Sequence, residues 1–97
     1  MTAYVLAQLT VRDREVYGRY AAAFLPTLAP YDGRLLAADE APQVMEGDWP
    51  HRKVVLIGFP DAERARAWAD GPEYLAIVGD RLASSDAVGL LVQGVGA

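Results

Sequence analysis

Two side chains in this sequence are suited to moving protons, Glu46 and His51. Glu46 lies in the run VMEGDWP, between apolar Val44-Met45 and the breaker Gly47. A carboxylate at the mouth of a pocket can act as acid or base once desolvation lifts its pKa; the competing role is an ion pair with Arg34 or Arg52. His51 is the single histidine of the chain. A histidine can serve as a proton shuttle, although within His51-Arg52-Lys53 a solvated loop residue is the plainer role. Around these stand groups that bind rather than react. Trp49, ahead of Pro50, offers an indole to close a pocket or a subunit contact. Tyr20 offers a phenol, with packing in the core as its alternative. Arg34 offers a guanidinium to an anionic substrate, with a surface ion pair as its alternative. These suggest a ligand site formed by Tyr20, Arg34, Glu46 and Trp49, with Glu46 and His51 as catalytic candidates. A small hydrophobic or aromatic acid would suit it: rings against Trp49, the carboxylate on Arg34, a proton handled by Glu46 or Tyr20.

Other chemistry has less support. Without cysteine there is no thiolate or disulfide, and with one histidine no metal site is expected. No glycine-rich phosphate loop or nucleophile elbow is present, so no cofactor is expected. The net charge is −4, with arginines scattered among acids, which argues against nucleic acid. The apolar run Ala3 to Val11 is too short for a bilayer, which takes about 20 residues, and the first residues lack a signal-peptide pattern. The expectation is one domain over 1–97, cytoplasmic, with no membrane partner.

The elements that must position these groups follow from periodicity. Ala3 to Val11 alternates as a strand, with Ala3, Val5, Ala7, Leu9 and Val11 on one face and Tyr4, Leu6, Gln8 and Thr10 on the other. Asp13 caps a helix striped by Val16, Tyr20, Ala23 and Phe24, which Pro26 breaks. After the turn at Tyr31-Asp32-Gly33 comes a strand, Arg34 to Asp39, and a second extended piece from Gln43 to Gly47. Arg52 to Phe59 is apolar on both faces and therefore central. Asp61 caps a helix whose stripe is Ala62, Ala65, Trp68 and Ala69, with Trp68 in the core. Gly71-Pro72 closes it and opens another helix lined by Tyr74, Ile77, Val78 and Leu82. A turn at Ser84 to Ala87 leads to a last strand, Val88 to Val95. The order β-α-β-β-α-β is that of an α+β, ferredoxin-like domain with an antiparallel sheet. Its helices cover one face, and the apolar residues left on the other predict a homodimer packed sheet to sheet.

The segments AYVLAQLTVRDREVYGRY at Ala3, YDGRLLA at Tyr31, VMEGDWP at Val44, VVLIGFPDAERARAW at Val54 and GPEY at Gly71 together resemble the DUF1330 family. They run through essentially the whole chain. The resemblance implies a dimeric α+β barrel. It also implies a loose range of roles: a small-molecule-binding domain or, alternatively, a cofactor-free isomerase or monooxygenase. Two positions depart from the family pattern: Asp32 replaces the first glycine of a pair, and Gly71 a common serine.

Overall fold

The computed structural model describes residues 1–96. Four strands form one antiparallel sheet: β1 (Ala3–Val11), β2 (Arg34–Asp39), β3 (Lys53–Phe59) and β4 (Ser85–Gln93), in the order β2-β3-β1-β4. Four helices lie on one side: α1 (Arg14–Phe24), α2 (Ala62–Ala69), α3 (Pro72–Leu75) and α4 (Val78–Ser84). The fold is α+β and ferredoxin-like, with the two most apolar strands at its centre.

The alternation in β1 sets the layers. Residues directly opposite in an antiparallel ladder share a face. Val5 faces Ile57 and Leu91, whereas Leu6 faces Leu56 and Leu90. The first set points to the helices, where Leu9, Ile57 and Phe59 are buried. The second set, with Tyr4, Gln8, Val54 and Val92, lies on a face that no helix covers. The slab is correspondingly thin, 35 × 35 × 15 Å.

Local rules account for the helices. Asp13 accepts hydrogen bonds from the Glu15 and Val16 amides, and Asp61 from the Arg64 amide, satisfying donors that the first turn leaves unpaired. Spacings of three and four residues put Tyr17, Tyr20 and Phe24 on one face of α1. Val16, expected on that stripe, is only partly buried, and Tyr17 holds the inner position. Trp68 is buried as expected, and its indole N–H donates to Thr27 Oγ1 at 3.0 Å. Gly71 is required: a Cβ there would run into the Tyr31 hydroxyl and the Ala67 carbonyl. Tyr31 donates to Glu73, which holds the Glu73 carboxyl below its usual range. Asp32 sits at φ 55, the left-handed region where a glycine would be unstrained.

Three expected elements differ. Gln43 to Gly47 forms no strand and belongs to the loop that joins β2 to β3. The helix from Pro72 is broken at Ala76-Ile77 into α3 and α4, and Leu82 is exposed rather than inward. No turn occupies Ser84 to Ala87. The chain passes from α4 into β4 at Ser85, whose hydroxyl donates to the Arg81 carbonyl, and the ladder with β1 reaches Val11–Ser85. Among the described residues no helix is long and apolar enough to cross a membrane.

Candidate functional site

The helices do not close down on the sheet. Between the two layers lies a cavity of about 470 Å³, within the usual range for small-molecule sites. Its floor is the inward face of the sheet, including Val5, Ala7, Val55 and Ile57, and Tyr17, Tyr20, Phe24, Trp68 and Tyr74 wall it. Small residues leave the room. Gly89 stands opposite Ala7 on the inward face of β4, and a Cβ there would meet nothing within 4 Å.

The aromatic wall is a connected cluster. Ring centroids lie 5.5 Å apart for Tyr17 and Tyr20, 6.1 Å for Tyr20 and Tyr74, and 4.3 Å for Trp68 and Tyr74. Such pairs fix one another's orientation beyond simple burial. A polar thread runs through them. The Tyr20 and Tyr74 hydroxyls are 2.9 Å apart, and Arg81 Nε donates to the Tyr74 hydroxyl at 3.2 Å. Tyr74 and Arg81 belong to different helices, yet seven residues are close to two helical turns and they face the same way. Burial pushes the Tyr20 phenol far above its ordinary pKa, and the neighbouring Tyr74 adds to the shift. Tyr20 is therefore a neutral hydrogen-bonding group at physiological pH.

The structure brings only one of the expected site residues to this cavity. Tyr20 lines it. Trp49 and His51 sit on the other side of the sheet: Trp49 Nε1 donates to Gln8 Oε1 at 2.7 Å, and His51 Nδ1 lies 3.1 Å from Thr10 Oγ1. Gln8 and Thr10 belong to the uncovered face, so the sheet separates Trp49 from Tyr20 and the expected convergence does not form. Arg34 opens β2 opposite Gly58, again on the uncovered face. Glu46 is exposed in the loop between β2 and β3, and among the described residues it has no ion-pair partner. A shallow depression of about 360 Å³ beside that loop is bordered by Trp49 and His51 but not Glu46. Tyr4 lies on the uncovered face and Tyr31 outside the cavity.

Sequence reasoning missed Tyr17, Tyr74, Arg81 and Lys53. The signal for Tyr17 was its spacing of three from Tyr20. That for Arg81 was its spacing of seven from Tyr74. Lys53 Nζ lies 4.8 Å from the centre of the Tyr17 ring, a cation–π contact. Among the described residues no cluster of three or more His, Cys, Asp or Glu could hold a metal ion.

Solved structures share this architecture. The RPA0582 protein of unknown function from Rhodopseudomonas palustris aligns with a TM-score of 0.80 and 16% identity, over 99% of this chain and 84% of its own. A dimeric ferredoxin-like protein of unknown function from Jannaschia sp. CCS1 aligns at 0.70 and 19%, over 97% of this chain and 100% of its own. SnoaB, a cofactor-independent oxygenase from Streptomyces nogalater, aligns at 0.61 and 16%, over 99% and 95%. At these identities the likeness speaks for the fold alone. No curated protein matches the sequence. The sequence profile described as a domain of unknown function, DUF1330, matches residues 2–95, and the chain belongs to that family.

Proposed function

We propose that the protein is a homodimer whose protomers each bind a small apolar or aromatic molecule in the cavity between helices and sheet. The observation that carries this reading is the cavity itself. It is preformed, walled by five aromatic rings, and provided with a few converging polar groups at Tyr20, Tyr74 and Arg81. The dimer is supported from the opposite side. Leu6, Leu56 and Leu90 lie side by side on the uncovered face, Leu90 being 46% exposed, and a second copy would remove that patch from water. The Jannaschia neighbour is described as dimeric. Together these features favour the dimeric α+β barrel arrangement.

A second reading, cofactor-free isomerase or monooxygenase chemistry on a bound acid, draws on the SnoaB likeness. In this chain such chemistry would fall to the Tyr20–Tyr74 pair, because Glu46 and His51 stand outside the cavity. The raised pKa of Tyr20 favours a phenol that orients a ligand over one that gives up its proton.

Gly89→Phe tests the binding reading. A side chain at this position enters open space, so the ring fills the cavity while the strand remains a strand. Small aromatic compounds that raise the melting temperature of the native protein should not raise that of the variant. Equal shifts in both proteins would contradict the reading.

A further inference from the structure

The charges around the cavity are one-sided. Lys53, Arg66 and Arg81 border it, and among the described residues no Asp or Glu does. The chain as a whole carries 13 acidic against 9 basic residues, so the cavity reverses the sign of the molecule around it. One of these cations has other partners and one is solvated. Lys53 lies over the Tyr17 ring, 4.0 Å from Glu40, and Arg66 is exposed at the rim. Arg81 is different. It is partly buried and donates Nε–H to Tyr74, and among the described residues no carboxylate comes within ion-pair distance. Arg12, Arg19 and Arg64, out on the surface, each have an aspartate.

Proton counting adds a second group. Arg81 can only donate, so the Tyr74 oxygen accepts from it. The contact between the two tyrosines uses one of their two hydroxyl protons. Whichever tyrosine donates in that contact, the other keeps an O–H with no acceptor among the described residues. Guanidinium and phenol thus present spare donors from one connected chain at the cavity wall.

We propose that the ligand is a monocarboxylate with an aromatic or apolar body, its carboxylate received by the Arg81 guanidinium and by the spare hydroxyl of the Tyr20–Tyr74 pair. This rests on the cavity being a binding site and names the chemical class that the site selects. A carboxylate matches the guanidinium fork with two parallel hydrogen bonds and has lone pairs left for the phenol. A neutral ligand would strip water from Arg81 and return no charge to it, which is costly in a site with apolar walls. Lys53 and Arg66 add a favourable field for an anion. The body then lies against Trp68 and Phe24.

The test uses two probes with one ring frame, naphthalene-2-carboxylate and naphthalene-2-methanol, titrated calorimetrically into the whole protein. The acid should bind at least about tenfold more tightly than the alcohol. Arg81→Met should bring the ratio of acid to alcohol affinity down to about one, whereas Arg34→Met on the far face should preserve the ratio. Replacing both hydroxyls, Tyr20→Phe with Tyr74→Phe, should reduce the ratio by a smaller factor, since either substitution alone still leaves one spare O–H. If the alcohol binds the native protein as tightly as the acid, or if Arg81→Met keeps the ratio, the carboxylate assignment is overturned and the cavity stands as an apolar site. Binding of neither compound overturns both readings. The native-protein comparison decides by itself should Arg81→Met fail to fold.

Discussion

The two faces of this sheet are built from the same strands and are made for different contacts. On the helix side, β1 contributes Val5, Ala7 and Leu9 to a recess walled by aromatic rings from α1, α2 and α3. On the other side, β1 contributes Tyr4, Leu6 and Gln8 to a flat surface continued by Leu56 and Leu90. Both faces are apolar, so hydrophobicity does not distinguish them. The difference is shape and the placement of polar atoms. The recess has a hydrogen-bonded chain, Arg81 to Tyr74 to Tyr20, and cations at its rim. The flat face has the Trp49–Gln8 and His51–Thr10 pairs near its edge, which tie the β2–β3 loop down. A recess with oriented donors suits a small molecule, and a flat apolar sheet suits another protein surface.

The comparison can be broken most forcefully on the flat face. Leu6→Arg places a charge where a second copy is expected to pack. Sedimentation equilibrium at micromolar concentration should show two chains for the native protein and one for the variant. A native protein that sediments as 10.5 kDa would remove the flat face from the account. An interface of that kind would bury about 2,000 Å² or more in total.

The recess side should respond through fold stability. Trp68→Ala removes a buried ring that touches Phe24, Phe59 and Tyr74, and it leaves the Thr27 hydroxyl without its indole partner. Denaturant unfolding should show a loss of about 3–5 kcal/mol. An unchanged midpoint would mean that the aromatic wall is not the core of the helix layer.

A smaller effect sharpens the chemistry of the wall. The Tyr20 phenol is raised in the folded protein, chiefly by burial. Above about pH 10 an unfolded chain therefore loses this proton while the folded chain keeps it. The stability carried by Tyr20 is whole below that pH and drains as pH rises past it, by about 1.4 kcal/mol per pH unit. Tyr31, raised by its hydrogen bond to Glu73, adds to the same trend. Tyr20→Phe should cost about 1 kcal/mol at neutral pH, from the lost Tyr74 bond. The fall in stability above pH 10 should then be shallower than in the native protein. Parallel curves for the two proteins would show that the phenol titrates as freely as in solvent.

The same contrast shows what the sequence could carry. The period-two alternation of Ala3 to Val11 and the doubly apolar run at Val54 to Ile57 specify the central strands, because a one-residue slip would turn every side chain to the wrong face. Asp61 and Gly71 mark the ends of α2 by the backbone groups that helix ends leave unpaired. Those local rules deliver the ferredoxin-like order and the burial of Trp68. The site was less legible. Glu46 and Trp49 belong to a loop, and nothing in their spacing says on which side of the sheet the loop lies. Loop direction comes from distant partners, Gln8 for Trp49 and Thr10 for His51. Tyr20 was placed by its helix stripe. Arg81 shares a helical spacing of seven with Tyr74, but that spacing does not say that the shared face turns to a cavity.

The central claim is that a small molecule binds on the helix side of the sheet, and the two tryptophans report the two sides. A titration of the ¹⁵N-labelled protein with naphthalene-2-carboxylate, read in the ¹H–¹⁵N correlation spectrum, follows both indole N–H signals at once, with Trp49→Phe assigning them. The Trp68 indole and the Gly89 amide should shift progressively and saturate together, while the Trp49 indole stays in place. Saturating shifts at Trp49 with Trp68 and Gly89 unmoved, or no shift at any of the three, would contradict the account.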